Sequence, residues 1–174
     1  LKAKTVIWNG PIKNVPIMEQ FLMDGGTINI DCIEELEQIK EIHNHHADKL
    51  IHVGIHCNYD VNDGVVSRFG FDIDGEDFME AVKFATTTKN VKLINFQCHF
   101  AKRQIAYWPA RAKGMVDLID RLGIIPERID IGGGLFGKMA DSLKAQFSCQ
   151  IPDYEAYAKV AAQVFADYFK DKDV

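Results

Sequence analysis

Residues 5–8, 27–30, 50–58, 91–98 and 129–131 form five apolar runs, and each leads into a segment with helical spacing. This alternation restricts the fold to an α/β class on a parallel sheet, because a crossover helix is what lets the next strand run in the same direction. Helix punctuation agrees. Asn14 stands as a cap ahead of Pro16 and the stripe Ile17, Met18, Phe21 and Leu22, with Gly25-Gly26 as the stop. Asp31 and Glu34 have capping-box spacing before Leu36 and Ile39, and Asp74 with Asp77 marks a helix start before Phe78, Ala81, Val82 and Ala85. Met115, Val116, Leu118, Ile119 and Leu122 define a fourth helix ending at Gly123; a fifth starts near Pro152-Asp153 and carries Tyr157, Val160, Ala161, Val164 and Tyr168.

The strands carry a second pattern. Side chains alternate faces, so His52, Gly54, His56 and Asn58 share one face while Ile51, Val53, Ile55 and Cys57 share the other. Asn29 with Asp31, Asn95 with Gln97 and His99, and Asp130 with Gly132 repeat the division. A (β/α)8 barrel places helices on the apolar face and gathers polar groups at the C-terminal ends of its strands, where such barrels keep their chemistry. Five strands cannot close that barrel. With 174 residues, 47% of them hydrophobic, the chain is also the right size for one complete five-stranded, doubly wound sheet of flavodoxin-like type. Strands of such a sheet are covered on both sides and read apolar on both, which these do not.

Gly132-Gly133-Gly134 follows the last apolar run directly, and Gly137 completes a G-x-G-x-x-G pattern. Backbone N–H groups without side chains around them can cradle a phosphate. A Rossmann-like or flavodoxin-like module would use such a loop for a nucleotide, yet its fingerprint belongs in the first βα turn. Net charge of −5 and a pI near 5.7 leave no basic patch for nucleic acid, and no apolar stretch approaches the roughly 18 residues of a membrane span. Cys32, Cys57, Cys98 and Cys149 include no C-x-x-C pair, as expected for reduced thiols. His43, His45 and His46 have partial metal-ligand spacing, but histidines at a helix C-terminus are more simply dipole partners, and no metal is expected. With no leader pattern at its start, the protein is expected in the cytoplasm.

Trp8-Asn9-Gly10-Pro11-Ile12-Lys13, Ile28-Asn29-Ile30-Asp31-Cys32-Ile33-Glu34-Glu35-Leu36, Ser67-Arg68-Phe69-Gly70, Cys98-His99-Phe100-Ala101 and Asp130-Ile131-Gly132-Gly133-Gly134 occur in the order found in another group. With them the chain resembles the pyridoxal-phosphate barrel domain of the fold-type III amino-acid decarboxylases, which include diaminopimelate, ornithine and arginine decarboxylases, with alanine racemase as a more distant relative. The resemblance implies a partial (β/α)8 barrel, about strands three to seven, with residues 1–174 forming part of an N-terminal domain. It implies pyridoxal 5'-phosphate as cofactor and a parent enzyme, a homodimer, that releases CO2 from a basic or diamino acid. Racemisation of an alanine-type substrate is the alternative.

By the same resemblance His99 stacks on the pyridine ring, Gly132, Gly133 and Gly134 bind the phosphate, and His56 and Asn58 belong to the cofactor site. Arg68 matches an arginine that in alanine racemases meets the cofactor or the substrate carboxylate. Departures are visible. Phe100-Ala101-Lys102 replaces the usual Ile-Gly-Ser after the histidine, so a hydroxyl near the phosphate is missing, and His56 stands where the family often has arginine. The Schiff-base lysine of an early strand, the Glu-Pro-Gly-Arg of the last strand and the C-terminal β domain have no counterpart in this sequence. The chain is therefore expected to be a central piece of the enzyme and inactive by itself.

Overall fold

A computed structural model describes residues 2–172. The chain divides into two compact units. The first comprises residues up to Tyr59, Ser67–His99 and Ile125–Asp130; the second comprises Asp60–Val66, Phe100–Ile124 and the residues from Ile131 onward.

The first unit holds the sheet: β1 (Ile7–Trp8), β2 (Thr27–Ile30), β3 (Ile51–Asn58), β4 (Phe71–Asp72), β5 (Val91–Gln97) and β6 (Arg128–Asp130). All its pairings are parallel, and the order β1-β2-β3-β5-β6 follows the chain, with β4 attached only to the end of β3. A doubly wound sheet reverses its strand order at a switch point. This one does not, which removes the flavodoxin-like and Rossmann-like readings. β4 lies in a stretch without a strand signal in the sequence; two residues are too few to carry one.

Register puts the two faces where alternation predicts. Ile28 is opposite Val53, and Ile30 is opposite Ile55, which faces Phe96 and through it Ile129. These meet the buried faces of three helices: α1 (Val15–Met23) through Met18 and Leu22, α2 (Ile33–His45) through Leu36, Ile39 and Ile42, and α3 (Glu76–Thr87) through Phe78, Ala81 and Ala85. One irregularity was hidden in the sequence. Leu93 pairs with Val53 but Asn95 pairs with Gly54, so Ile94 is an extra residue in β5. This bulge changes which alternate residues are apolar, from Val91 and Leu93 before it to Phe96 and Cys98 after it.

The opposite face is polar and concave. Asn9, just past β1, donates from Nδ2 to Asp130 Oδ2 on β6 at 3.3 Å. A flat sheet at about 4.8 Å per strand would hold these two edges roughly 19 Å apart. Strong curvature brings them together. Inside the curve Asn29 donates to Asn9, and the Asn29 and Asn95 amides meet at 2.9 Å. Gly54 lies between the two asparagines in register, and a Cβ there would fall 1.9 Å from Asn29 Oδ1 and 2.9 Å from the Asn95 carbonyl oxygen.

Helix ends show what the chain chose as caps. Asn14 caps α1, accepting from the Ile17 N–H at 3.3 Å. The capping box read from Asp31 and Glu34 is corrected: Cys32 is the cap residue, and it is Glu35 that reaches back, accepting from the Asp31 N–H at 3.0 Å. Gly75, not Asp74, precedes α3.

The second unit is helical, with α4 (Trp108–Leu122), the short α5 (Asp141–Lys144) and α6 (Tyr154–Phe169). Gly123 ends α4 in the left-handed conformation, and Asp153 caps α6 through the Ala156 N–H at 2.7 Å. Its core joins Trp108 and Ala112 of α4 to Tyr157 and Ala161 of α6, with Phe136 from the intervening segment. No helix among the described residues is long and apolar enough to cross a membrane.

Gly54→Ala tests the crowding on the concave face. Overpacking against Asn29 and the β5 backbone should cost about 1–3 kcal/mol in urea unfolding. An unchanged midpoint would show that the asparagine amides are free to move aside.

Candidate functional site

The polar end of the first unit is organised by Asp31, the residue after β2. Its backbone is fixed from behind: Glu35, which takes the Asp31 N–H, is paired with Lys13 Nζ at 2.7 Å, and Lys13 also donates to the Gly10 carbonyl at 2.5 Å. This ion pair is buried and ties the loop after β1 to the first turn of α2. In front, the Asp31 carboxylate accepts from His56 Nδ1 and from the Gly70 backbone N–H. Burial alone would raise the Asp31 carboxyl. The His56 hydrogen bond and charge, the Gly70 N–H and the charge of Lys13 outweigh it and hold the group below the usual aspartate range.

His56 is 5% exposed. With Nδ1 committed to Asp31, its other ring nitrogen, Nε2, is buried without a hydrogen-bond partner. Gly70 presses on the ring: it has φ +81°, and a Cβ there would come within 2.9 Å of the imidazole and of the His56 carbonyl oxygen. Asn58 donates to the Ser67 carbonyl at 3.1 Å, anchoring the segment that leads to Gly70. Strand β3 and the 67–70 segment are thus brought together around one imidazole. Arg68, inside that segment, is exposed, with its guanidinium 5.5 Å from the centre of the Phe69 ring. His99 is exposed two residues beyond Gln97, which pairs with His56 in register.

Gly132, Gly133 and Gly134 belong to the second unit. Gly132 and Gly134 have φ of +73° and +86°. The run is not a slack turn. Arg111 of α4, fully buried, donates from Nη1 to the Gly133 carbonyl at 2.9 Å and from Nη2 to the carbonyls of Phe100 (3.2 Å) and Lys102.

The histidines of α2 have separate partners. His43 is buried with Nε2 2.9 Å from the Lys89 carbonyl, and His46 is 2.6 Å from Glu19. No group of three metal-binding side chains occurs among the described residues.

Asp31, Gly70 and Arg111 organise these contacts, and sequence reading did not single them out as site residues. Asp31 was read as a cap and as a member of the polar face beside Asn29, and neither reading assigned it a partner. Arg111 stands at helical spacing among Trp108, Ala112 and Met115. A lone cation in an apolar stripe was the available signal.

The comparisons with known proteins agree with this geometry. The family described as "Pyridoxal-dependent decarboxylase, pyridoxal binding domain" matches residues 1–174. A diaminopimelate decarboxylase of Actinosynnema pretiosum is 29% identical over 140 residues, covering 76% of this chain and 32% of that protein. Among solved structures, diaminopimelate decarboxylase from M. jannaschii with L-lysine superposes with a TM-score of 0.72 at 20% identity, covering 98% of this chain and 41% of that one. An alanine racemase of Clostridium difficile gives 0.52 at 18% identity over 71% of this chain and 32% of that one. The fold is therefore part of a (β/α)8 barrel, and the chain spans well under half the length of these relatives.

Because the folded state holds the Asp31 carboxyl below its unfolded value of about 3.9, its contribution to stability is complete above that pH and is lost as pH falls through the folded value. Asp31→Asn should lower stability at neutral pH and flatten the acid limb of the stability curve, as read from urea midpoints across pH. Parallel curves for the two proteins would show that the carboxylate's partners do not matter.

Proposed function

We propose a function from one fact: this chain belongs to the pyridoxal-dependent decarboxylases, and their pyridoxal binding domain matches it over its whole length. The parent protein is a pyridoxal phosphate enzyme of diaminopimelate decarboxylase type that releases CO2 from a basic or diamino acid. The higher structural likeness to a decarboxylase than to a racemase, 0.72 against 0.52, favours decarboxylation.

Two observations support the fit of the cofactor. In the first unit the buried, partnerless Nε2 of His56 is an unmet polar atom on the concave face; in the second, Gly132 and Gly134 have positive φ, and a Cβ at Gly134 would come within 3.1 Å of the Phe100 carbonyl oxygen. When bound, the cofactor supplies the electron sink for bond breaking at the substrate Cα. Gly132, Gly133 and Gly134 offer backbone N–H groups to its phosphate, and His99 covers one face of its ring. His56, fixed by Asp31, keeps a polar atom for the site; Asn58 holds the loop that supports His56; Arg68 meets an anionic group of cofactor or substrate. Lys13, committed to Glu35 and Gly10, is not the lysine that anchors the cofactor. The chain spans well under half the length of its relatives, and this piece alone is inactive. Further domains complete a homodimeric, cytoplasmic enzyme.

His99→Ala in the full-length protein should weaken cofactor binding by about twofold to tenfold, the scale of a lost aromatic contact of roughly 0.5–1.5 kcal/mol. Absorbance titration with pyridoxal phosphate, followed by assays for CO2 release and for loss of substrate chirality, reads both binding and reaction. Unchanged affinity and turnover would remove His99 from the site, and racemisation without CO2 would overturn the decarboxylase reading.

A further inference from the structure

Arg111 has an unusual set of partners for a buried cation. Its guanidinium gathers three backbone carbonyls, those of Phe100, Lys102 and Gly133, from two segments that are more than thirty residues apart in sequence. The Trp108 ring, 4.5 Å from the guanidinium carbon, and the Phe100 ring, at 5.6 Å, fix its plane. Tyr157 of α6 donates to the Arg103 carbonyl, so the 100–103 segment is held from a second side.

A trans peptide places its C=O and its N–H on opposite sides. Pulling the carbonyls of Phe100, Lys102 and Gly133 onto Arg111 therefore turns the N–H groups of Ala101, Arg103 and Gly134 away from it. We propose that Arg111 is a positioning residue for the cofactor phosphate: by clamping these three peptides from within, it presents the positive ends of their dipoles to the anion. The proposal rests on the placing of the phosphate at Gly132 to Gly134. It also accounts for Phe100-Ala101-Lys102, a segment with no hydroxyl side chain. There the backbone N–H groups of Ala101 and Arg103, aligned by Arg111, serve as donors in place of a side chain. Arginine is specified over lysine because only the planar fork can hold several carbonyls in fixed directions, whereas an ammonium is a single point charge on a flexible stem.

Pyridoxal and pyridoxal 5'-phosphate share a ring and differ in the phosphate, so comparing their affinities isolates the anion site. In the full-length protein, Arg111→Lys should weaken pyridoxal phosphate at least about tenfold, the loss of one charge-assisted hydrogen bond, while pyridoxal changes less than about twofold. Gly134→Ala attacks the same peptide while residue 111 stays arginine, its Cβ reaching the guanidinium nitrogens only at an ordinary contact distance of 3.7 Å. Its Cβ would sit at φ +86°, 3.1 Å from the Phe100 carbonyl oxygen, and it should show the same phosphate-selective loss. Circular dichroism checks that each variant is folded; if Arg111→Lys does not fold, Gly134→Ala decides. Equal weakening of both ligands, or weakening of neither, overturns the role of Arg111. Wild-type protein that binds pyridoxal as tightly as its phosphate overturns the placing of the phosphate itself, a different result from either.

Discussion

Polar side chains on the inside of a curved parallel sheet must find partners there, because water does not reach most of them and an unmatched buried group costs about 1–3 kcal/mol. Asn29, Asp31, His56, Asn95 and Gln97 are all buried on this face. Much of what is particular about the first unit follows from that demand. The asparagine amides bond across strands, Gly54 leaves them room, and the curvature brings Asn9 to Asp130. Asp31 is the point where the network meets the rest of the unit. Its main chain is fixed through Glu35 to Lys13, and its carboxylate fixes His56 and Gly70. A buried ion pair such as Lys13 with Glu35 is weak evidence for net stability, since desolvation offsets its attraction. Its visible effect is geometric: it sets where Asp31 stands.

The segment after β3 shows how a loop is fixed by the strands it follows. Asn58 holds Ser67, Asp31 holds the Gly70 N–H, and Gly70 lies on the imidazole with no space for a Cβ. A side chain at position 70 would meet both a φ that favours glycine and the His56 ring. The loop's course is thus dictated by the histidine it covers. Arg68 inherits its position from the residues on either side of it.

Fold class was legible because the period of the apolar pattern changes between strand and helix in a repeating order, and because Ile28, Val53, Ile55 and Phe96 alternate with polar neighbours. Where reading failed, the cause lay in tertiary geometry. The Ile94 bulge keeps the pattern nearly regular while changing which residues face the helices, and nothing local to β5 announces it. The Asp31 and Glu34 spacing looked like a cap, but the carboxylate was taken by His56, a partner 25 residues away, and Glu35 answered instead. In the second unit, the glycine run was plain from the sequence. The residue that holds it, Arg111, was not, since a helix pattern tells which face is buried and not which carbonyls wait there.

The two units solve the problem of a buried charge in complementary ways. In the first, an anion, Asp31, collects donors: the His56 ring N–H and the Gly70 amide. What remains uncommitted is the far nitrogen of the imidazole. In the second, a cation, Arg111, collects acceptors, the carbonyls of Phe100, Lys102 and Gly133, and the opposite ends of those peptides are N–H donors. A carboxylate hub fixes an imidazole by one nitrogen and leaves the other; a guanidinium hub fixes peptides by their oxygens and leaves their amides.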